Sequence, residues 1–169
     1  RSITKYGVTV RNREDLGRII KEAFYIARTG RPGPVLVDLP KDVMGELGDA
    51  EYPEEVNIRG YKPNTHVHIG QLKRAIKMLS KAERPLFLVG GGVNIAHANQ
   101  EFTALAEKTN VPVVTTVMGR GAIPTNHPLY IGNVGMHGAY ACNMAVNECD
   151  LLFSIGTRFN DRITGKLHS

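Results

Sequence analysis

The sequence has 169 residues, of which 42% are apolar and 22% are charged, and its net charge is +5. These values are typical of a globular domain and exclude a collagen, a disordered chain and a disulfide-rich miniprotein. No apolar run approaches the roughly 18 residues of a membrane-spanning helix, so we expect no membrane partner. Because the first residue is arginine rather than methionine, we expect a piece of a longer polypeptide.

The positive charge is concentrated after residue 55. Residues 56–169 carry 12 basic and 6 acidic side chains, against 9 basic and 10 acidic ones in residues 1–55. The densest basic stretch, residues 59–84, contains one aromatic residue, Tyr61, whereas single-strand binders interleave aromatic side chains for base stacking. We interpret this stretch as a solvated helix face and expect no nucleic acid partner.

Cysteine and histidine spacing predict no metal site. Cys142 and Cys149 are seven residues apart in a helical pattern, which favours reduced, buried thiols in a cytoplasmic protein. The six histidines show no metal-ligand spacing.

The first predicted element is a helix capped by Asn12, because apolar residues recur at helical spacing from Leu16 to Ala27. Gly30 is placed to end this helix in the left-handed conformation. Residues 35–39, bounded by prolines, are predicted to form a buried parallel strand. Together these elements make half of a β-α-β unit.

The pattern lapses in residues 45–63, where acidic residues, glycines and prolines occur without an apolar period, so we expect a domain boundary there. Helix and strand patterns then alternate. Three apolar strands are predicted at residues 86–89, 111–116 and 151–155, and a loop is predicted at residues 119–137. The alternation predicts an α/β fold with a parallel sheet and flanking helices. Three strands are few for such a sheet, so we expect it to be incomplete.

Ligands of open α/β sheets bind beyond the carboxyl ends of the strands. Glycines 90–92 would let the backbone approach a phosphate or a ribityl chain, and they suit a plain strand-to-helix turn equally well. Arg158 and Arg162 bracket Asp161, an arrangement suited to an anionic ligand or to a structural ion pair. The loop at residues 135–138 opens a predicted helix, where backbone amides favour an anion.

No sequence motif for catalysis accompanies these binding elements. The P-loop, the nucleophile elbow and the zinc-protease motif are all missing from the 169 residues. The residues alone therefore predict ligand binding without a catalytic set.

Four strings taken together resemble thiamine-diphosphate enzymes of the acetohydroxyacid synthase (acetolactate synthase) family, in that family's order and spacing. They are TGRPGPVLVDLPKDV at residues 29–43, GGG at 90–92, GMHG at 135–138 and RFNDRITGK at 158–166. The resemblance covers essentially the whole chain. It implies that the chain is an internal fragment of the family's catalytic, or large, subunit.

The resemblance implies a Rossmann-like central domain of the FAD-binding type, of which residues 69–169 are the amino-terminal part. Residues 56–68 correspond to a linker, and residues 1–55 to the carboxyl-terminal end of a pyrimidine-binding α/β domain. The implied reaction condenses two pyruvates, or pyruvate and 2-ketobutyrate, with loss of carbon dioxide, in branched-chain amino acid biosynthesis.

The implied cofactors are thiamine diphosphate, Mg²⁺ and FAD, the last with a mainly structural role. A homo-oligomer and a small regulatory subunit are the implied partners.

The resemblance also assigns residues to two sites. The flavin contacts are Arg31, Gly90, Gly91, Gly92, Thr116, Val117, His137, Gly156, Arg158, Asp161 and Ile163. The substrate-channel residues are Lys41, Met136, Asp161 and Arg162, with Arg162 holding the carboxylate of the second ketoacid.

The chain departs from the family pattern at Asn160, where a second aspartate is usual. The family's catalytic glutamate corresponds to a position before Arg1, and its Gly-Asp-Gly motif to a position after Ser169. We therefore expect no catalytic and no metal-binding residue here, an inactive isolated fragment, and weak or no FAD binding.

Other flavin-containing relatives, glyoxylate carboligase or pyruvate oxidase, are alternatives to acetohydroxyacid synthase as the parent enzyme. A non-catalytic nucleotide-binding module is a further alternative from another class.

Overall fold

The computed structural model describes residues 3–49 and 51–165. The chain divides into two compact units, Arg1–Val67 and His68–Ser169, which are described separately. Which enzyme domains these units represent, and the assignment of residues 56–68 as a linker, stay predictions.

The first unit is a complete β-α-β arrangement. It consists of β1 (Tyr6–Thr9), α1 (Leu16–Arg28), β2 (Val35–Asp38) and the short helix α2 (Lys41–Gly45). The two strands pair in parallel, with Tyr6 opposite Val35. The sequence predicted only the helix and the second strand, because β1, Tyr-Gly-Val-Thr, contains a glycine and lacks the continuous apolar run of β2.

Two local predictions for this unit are wrong and one is confirmed. Asn12 does not cap α1, because a 3-10 turn at Arg13–Asp15 comes between them and the Asn12 amide bonds to the Asp15 carboxylate instead. Strand β2 is not buried, since its side chains alternate in exposure and Leu36 is 57% exposed. Gly30 does adopt the left-handed conformation, with φ of 58°.

Residues 45–63, the stretch without apolar periodicity, are held against α1 by lysine side chains. The Lys21 ammonium donates to the carbonyl oxygens of Pro53 and Glu54 and lies 4.9 Å from the Tyr52 ring centroid. Gly17 leaves no room for a Cβ, because the Glu51 carbonyl passes directly over it. Polar contacts to the backbone therefore order a segment that composition alone identifies as a connection.

Lys5 closes the carboxyl end of α1. Its ammonium donates to the carbonyl oxygens of Ile26 and Thr29 and, at 2.9 Å, to the Tyr61 hydroxyl. A cation at this end of a helix satisfies the last carbonyls and complements the helix dipole. The hydrogen bond from Lys5 lowers the pKa of the Tyr61 phenol, because it stabilises the phenolate.

The second unit is built on a four-stranded parallel sheet in the order β5-β4-β3-β6. Its strands are β3 (Pro85–Val89), β4 (Val113–Thr115), β5 (Tyr130–Asn133) and β6 (Leu151–Ile155). Its helices are α3 (Ile69–Leu79), α4 (Gly91–Ile95), α5 (Asn99–Thr109), α6 (Tyr140–Glu148) and α7 (Asp161–Thr164).

Strand β5 corrects the prediction of three strands and of a continuous loop at residues 119–137. Its sequence, Tyr-Ile-Gly-Asn, contains a glycine and an asparagine, which obscure the strand signal. Gly132 has φ of 144° and lies at an irregularity in the pairing between β4 and β5. The other three predicted strands are confirmed, with β4 shorter than expected.

The core lies on both faces of β3. On one face the fully buried Phe87 ring makes edge-to-face contacts with Phe102 and Phe153, at centroid distances of 5.8 and 5.7 Å. On the other face Leu86 and Leu88 belong to a separate apolar cluster with neighbours from β4 and α6. A strand buried on both faces is typical of a parallel sheet covered by helices, so the predicted α/β fold is confirmed.

Both cysteines are free thiols. Cys142 is buried and Cys149 half-buried, and burial raises the pKa of both thiols, which disfavours the reactive thiolate.

Within residues 3–49 and 51–165, no helix combines the length and apolar character needed to span a bilayer.

Replacing Phe87 by alanine should lower the free energy of unfolding by about 3–5 kcal/mol, because it removes two aromatic contacts and leaves a cavity between the sheet and α5. Urea denaturation followed by far-ultraviolet circular dichroism measures this change. Phe24→Ala is the control, because the Phe24 side chain is 64% exposed, and its effect should stay within about 0.5 kcal/mol. Equal losses for the two variants would contradict the described core.

Candidate functional site

The candidate site is the carboxyl edge of the four-stranded sheet. Because the strands are parallel, their carboxyl ends meet along one edge, where ligands of open α/β sheets bind. Strand β3 leads there into glycines 90–92 and α4, and β4 leads into Thr116 and a 3-10 turn at Val117–Gly119. Strand β6 leads into Gly156 and Arg158, so the predicted glycines after β3 and the predicted arginine-bearing segment after β6 both lie on this edge.

The glycines allow the backbones after β3 and β6 to pass in direct contact. The Gly90 and Gly92 amides donate to the carbonyl oxygens of Ile155 and Gly156, at 2.9 and 2.8 Å. A Cβ on Gly90 would lie 2.5 Å from the Thr157 Cα, and one on Gly92 would lie 2.6 Å from the Gly156 Cα. These glycines are required by the strand-to-helix crossing itself, whatever ligand the edge binds.

Thr116 is part of the backbone framework of this edge. Its hydroxyl accepts a hydrogen bond from the Gly119 amide at 3.1 Å, and its own amide donates to the Val89 carbonyl. The next two side chains are free to meet a ligand, since Val117 is 62% and Met118 76% exposed. The apolar surface beside the glycines therefore comes from Val117 and Met118.

Helix α7 carries two of the predicted site residues, Asp161 and Arg162. Its N-cap is Asn160, whose side-chain oxygen accepts a hydrogen bond from the Ile163 amide at 3.2 Å. Asparagine and aspartate cap helices about equally well. The structure thus gives a local reason why asparagine is accommodated where the resembling family usually has aspartate.

The turn after β5 joins α7 through its backbone. The Met136 amide donates to the Arg162 carbonyl at 2.9 Å, and the Arg162 guanidinium lies 3.3 Å from the Met136 sulfur. Gly135, with φ of 102°, leaves the space that the Arg162 carbonyl occupies, since a Cβ there would lie 2.5 Å from that oxygen. The two predicted channel residues Met136 and Arg162 are therefore in contact.

The charged groups of this region are accessible. Asp161 and Arg162 approach to 3.7 Å, but their side chains are 80% and 66% exposed, and such a pair contributes little to stability. Arg158 and His137 are also exposed. The predicted structural ion pair is thus present in weak form, and it leaves the Arg162 guanidinium able to bind an anion.

The remaining predicted residues differ in placement. Ile163 is half-buried under the turn after β5. Arg31 and Lys41 belong to the first unit, where Arg31 lies in the turn between α1 and β2 and Lys41 begins α2, both exposed. Lys166, part of the last resembling string, lies outside the described residues.

A cleft of about 460 Å³ opens beside the turn after β5. Its walls include Met136, Asn143, Phe159 and Ile163 and are mainly apolar, and the Arg162 guanidinium contacts the sulfur of the wall residue Met136. A larger depression, about 660 Å³, lies between α5 and residues 121–125 and contains none of the predicted site residues. We assign the site to the smaller cleft because the accessible cation and the apolar wall meet there.

Sequence reasoning missed Asn143, which lies inside α6 and binds the backbone of Gly135 through both ends of its amide. Asparagine is disfavoured inside helices because its side chain competes for backbone hydrogen bonds. Its presence in the first turn of α6, shortly after the GMHG string, was therefore a signal of a specific contact.

In residues 3–49 and 51–165, no three His, Cys, Asp or Glu side chains are grouped to hold a metal ion.

Comparison with protein families identifies the second unit. Residues 72–169 match the model described as "Thiamine pyrophosphate enzyme, central domain". The chain belongs to the thiamine pyrophosphate enzyme family. The carboxyl edge described above thus lies in the central domain of such an enzyme.

Curated members of this family resemble the whole chain. It is 49% identical over 168 residues to the probable acetolactate synthase large subunit of Methanocaldococcus jannaschii, covering 98% of this chain and 28% of the relative. It is 43% identical over 169 residues to the acetolactate synthase isozyme 3 large subunit of Escherichia coli, covering 99% and 29%. The chain therefore spans less than a third of the length of these relatives.

A solved structure shows the same fold. The X-ray structure of a putative thiamin diphosphate-dependent enzyme from Mycobacterium smegmatis superposes with a TM-score of 0.72 at 24% identity, covering 92% of this chain and 29% of that one. This similarity supports the α/β architecture of the thiamine pyrophosphate enzymes.

Gly156→Ala should destabilise the chain by about 3 kcal/mol or more, because it combines a left-handed φ of 61° with a Cβ only 2.7 Å from the Val93 nitrogen. Gly121→Ala is the matched control, since Gly121 also has a positive φ, 84°, but open space around it. Its cost should be about 1–2 kcal/mol. Urea denaturation compares the two, and equal costs would show that the close crossing is not needed.

Proposed function

We propose that the chain is part of the large, catalytic subunit of an acetolactate synthase. The parent enzyme condenses two pyruvates, or pyruvate and 2-ketobutyrate, with loss of carbon dioxide, and so belongs to branched-chain amino acid biosynthesis. The observation that carries the proposal is the accessible Arg162 guanidinium in contact with Met136 beside an apolar cleft. The names of the relatives that match 98–99% of the chain support it.

The cleft suits a small 2-ketoacid. A guanidinium binds a carboxylate through two parallel charge-assisted hydrogen bonds, and Arg162 is free to do so because its contact with Asp161 is long and exposed. The Met136 thioether and the Phe159 ring, 60% and 58% exposed, offer apolar surface to the alkyl group. In this proposal Arg162 orients the second ketoacid, and the apolar wall accepts a methyl or an ethyl group.

The carboxyl edge also fits FAD. The exposed Val117 and Met118 side chains could cover a flat ring, and the exposed Arg158 could pair with a diphosphate. The other residues assigned to FAD are Arg31, Gly90, Gly91, Gly92, Thr116, His137, Gly156, Asp161 and Ile163. Of these, Gly90, Gly92, Gly156 and Thr116 make the contacts internal to the protein described above, and so shape the edge that would receive FAD.

Thiamine diphosphate supplies the carbon nucleophile of the reaction when it is bound with Mg²⁺. The present chain contains no Gly-Asp-Gly sequence, and among its described residues no three His, Cys, Asp or Glu side chains are grouped. Following the family resemblance, the proposal places the binding of both cofactors in other parts of the parent enzyme. The role proposed for this chain is to bind FAD and the second ketoacid.

The proposal extends to organisation and partners. Residues 1–55 would end the pyrimidine-binding domain, residues 56–68 would link it to the central domain, and residues 69–169 would begin the latter. Lys41 would reach the substrate channel from the first of these. The parent would be a cytoplasmic homo-oligomer that binds a small regulatory subunit, in keeping with the "large subunit" names of its relatives.

Two alternatives predict other products. Glyoxylate carboligase and pyruvate oxidase would form products other than acetolactate, so the products of the parent decide between them. A non-catalytic nucleotide-binding module would bind RNA or DNA with a steep salt dependence. The basic helix α3 gives little support to it, because the aromatic residues needed for base stacking are absent from that helix.

The isolated 169-residue chain should not form acetolactate from pyruvate in the presence of thiamine diphosphate, Mg²⁺ and FAD, and it should not retain FAD on desalting. The parent polypeptide, assayed at equal concentration, should form acetolactate and should copurify with flavin. Colorimetric acetolactate assay and visible flavin absorbance measure the two properties. Turnover by the chain alone, or a parent that makes a different product, would refute the corresponding part of the proposal.

A further inference from the structure

Asn143 makes a paired contact with the backbone of a single residue of the site, Gly135. Its side-chain oxygen accepts a hydrogen bond from the Gly135 amide at 3.0 Å, and its side-chain nitrogen donates to the Gly135 carbonyl at 3.1 Å. The side chain is half-buried in α6, so both hydrogen bonds are partly shielded from water. We refer to this arrangement as the Asn143 clamp.

The Asn143 clamp fixes a turn that glycine alone can form. Gly135 has φ of 102°, a conformation that other residues rarely adopt, and its carbonyl also accepts the Gly138 amide at 2.8 Å. The turn is thus held at Gly135 by three hydrogen bonds. A shift of Gly135 would move the neighbouring Met136 with it.

The same turn holds Arg162. The Met136 amide donates to the Arg162 carbonyl, and that carbonyl occupies the space left by the missing Cβ of Gly135. The Arg162 guanidinium itself has weak side-chain contacts, with the Met136 sulfur at 3.3 Å and the exposed Asp161 carboxylate at 3.7 Å. Its position therefore depends mainly on where the backbone of residue 162 lies.

We propose that Asn143 is a positioning residue that sets the location of Arg162, through Gly135 and Met136, for the carboxylate of the second ketoacid. The ketoacid part of this inference rests on the proposed function, whereas the clamp rests on geometry alone. An asparagine is required because the contact needs one donor and one acceptor at this reach. Aspartate keeps only the acceptor, and leucine keeps neither.

The first test measures the clamp without any activity. In the 169-residue chain, Asn143→Leu should accelerate amide hydrogen exchange of residues 135–138 and 161–165 by roughly tenfold, because three linked hydrogen bonds are loosened. Asn143→Asp should give an intermediate increase. Glu148→Leu, at the exposed last residue of α6 and outside the cleft, is the control and should leave both segments unchanged. Unchanged exchange in Asn143→Leu would overturn the proposal.

The second test asks whether Asn143 acts through Arg162 in the parent enzyme. Asn143→Leu should raise the KM for 2-ketobutyrate by roughly tenfold or more with a smaller change in kcat, because a misplaced guanidinium binds the carboxylate less well. In an Arg162→Ala background the same change should add less than about twofold, since groups acting as one unit are not additive. Glu148→Leu should alter neither parameter.

Each other outcome has a defined meaning. An equal effect of Asn143→Leu with and without the Arg162 guanidinium would overturn the positioning role and indicate general destabilisation. A variant that fails to fold is replaced by Asn143→Asp, for which the same comparison with Arg162→Ala holds. A wild-type parent without acetohydroxybutyrate formation would refute the proposed function and the ketoacid role together, while hydrogen exchange would still decide on the clamp.

Discussion

The close crossing of two backbones at the carboxyl edge is the constraint on which the candidate site depends. Where β3 and β6 end, Gly90 and Gly92 donate hydrogen bonds across to Ile155 and Gly156, and side chains on the glycines would collide with the opposite strand end. The crossing brings the segment that begins α4 next to the segment that leads to α7. Arg158, Asp161 and Arg162 reach the edge of the sheet because of it.

Backbone contacts, rather than ion pairs, organise the polar groups of this edge. Asn160 caps α7, the Met136 amide holds the Arg162 carbonyl, and the Asn143 amide holds Gly135. The charged ends of Arg158 and Arg162 remain exposed. This division suits a binding site, because the framework is already ordered while the guanidinium groups are free for anionic ligands.

The fold was largely predictable because the strands buried on both faces, such as β3, appear as continuous apolar runs between prolines and glycines. The failures occur where local contacts outweigh periodicity. Strand β5 contains Gly132 and follows a loop rich in Gly, Pro and Asn, and β1 contains Gly7 within its four residues, so neither presents an apolar run. Asn12 was an acceptable N-cap in sequence, but the 3-10 turn before α1 displaced it.

The site was predictable in part, for a different reason. Strand-end glycines and arginines follow from the general rule for open α/β sheets, and the structure places them on one edge. The pairing of Met136 with Arg162 joins residues 26 positions apart, and the Asn143 clamp depends on a φ that sequence does not display. Residues that act by holding the backbone are thus the ones that sequence reasoning misses.

The central claim is that Arg162 binds the carboxylate of the second ketoacid, and a titration of the parent enzyme with 2-ketobutyrate tests it most directly. For Arg162→Ala we predict a KM at least about 30-fold above wild type, which corresponds to about 2 kcal/mol for a lost charge-assisted hydrogen bond. A KM equal to that of the wild-type enzyme would contradict the account.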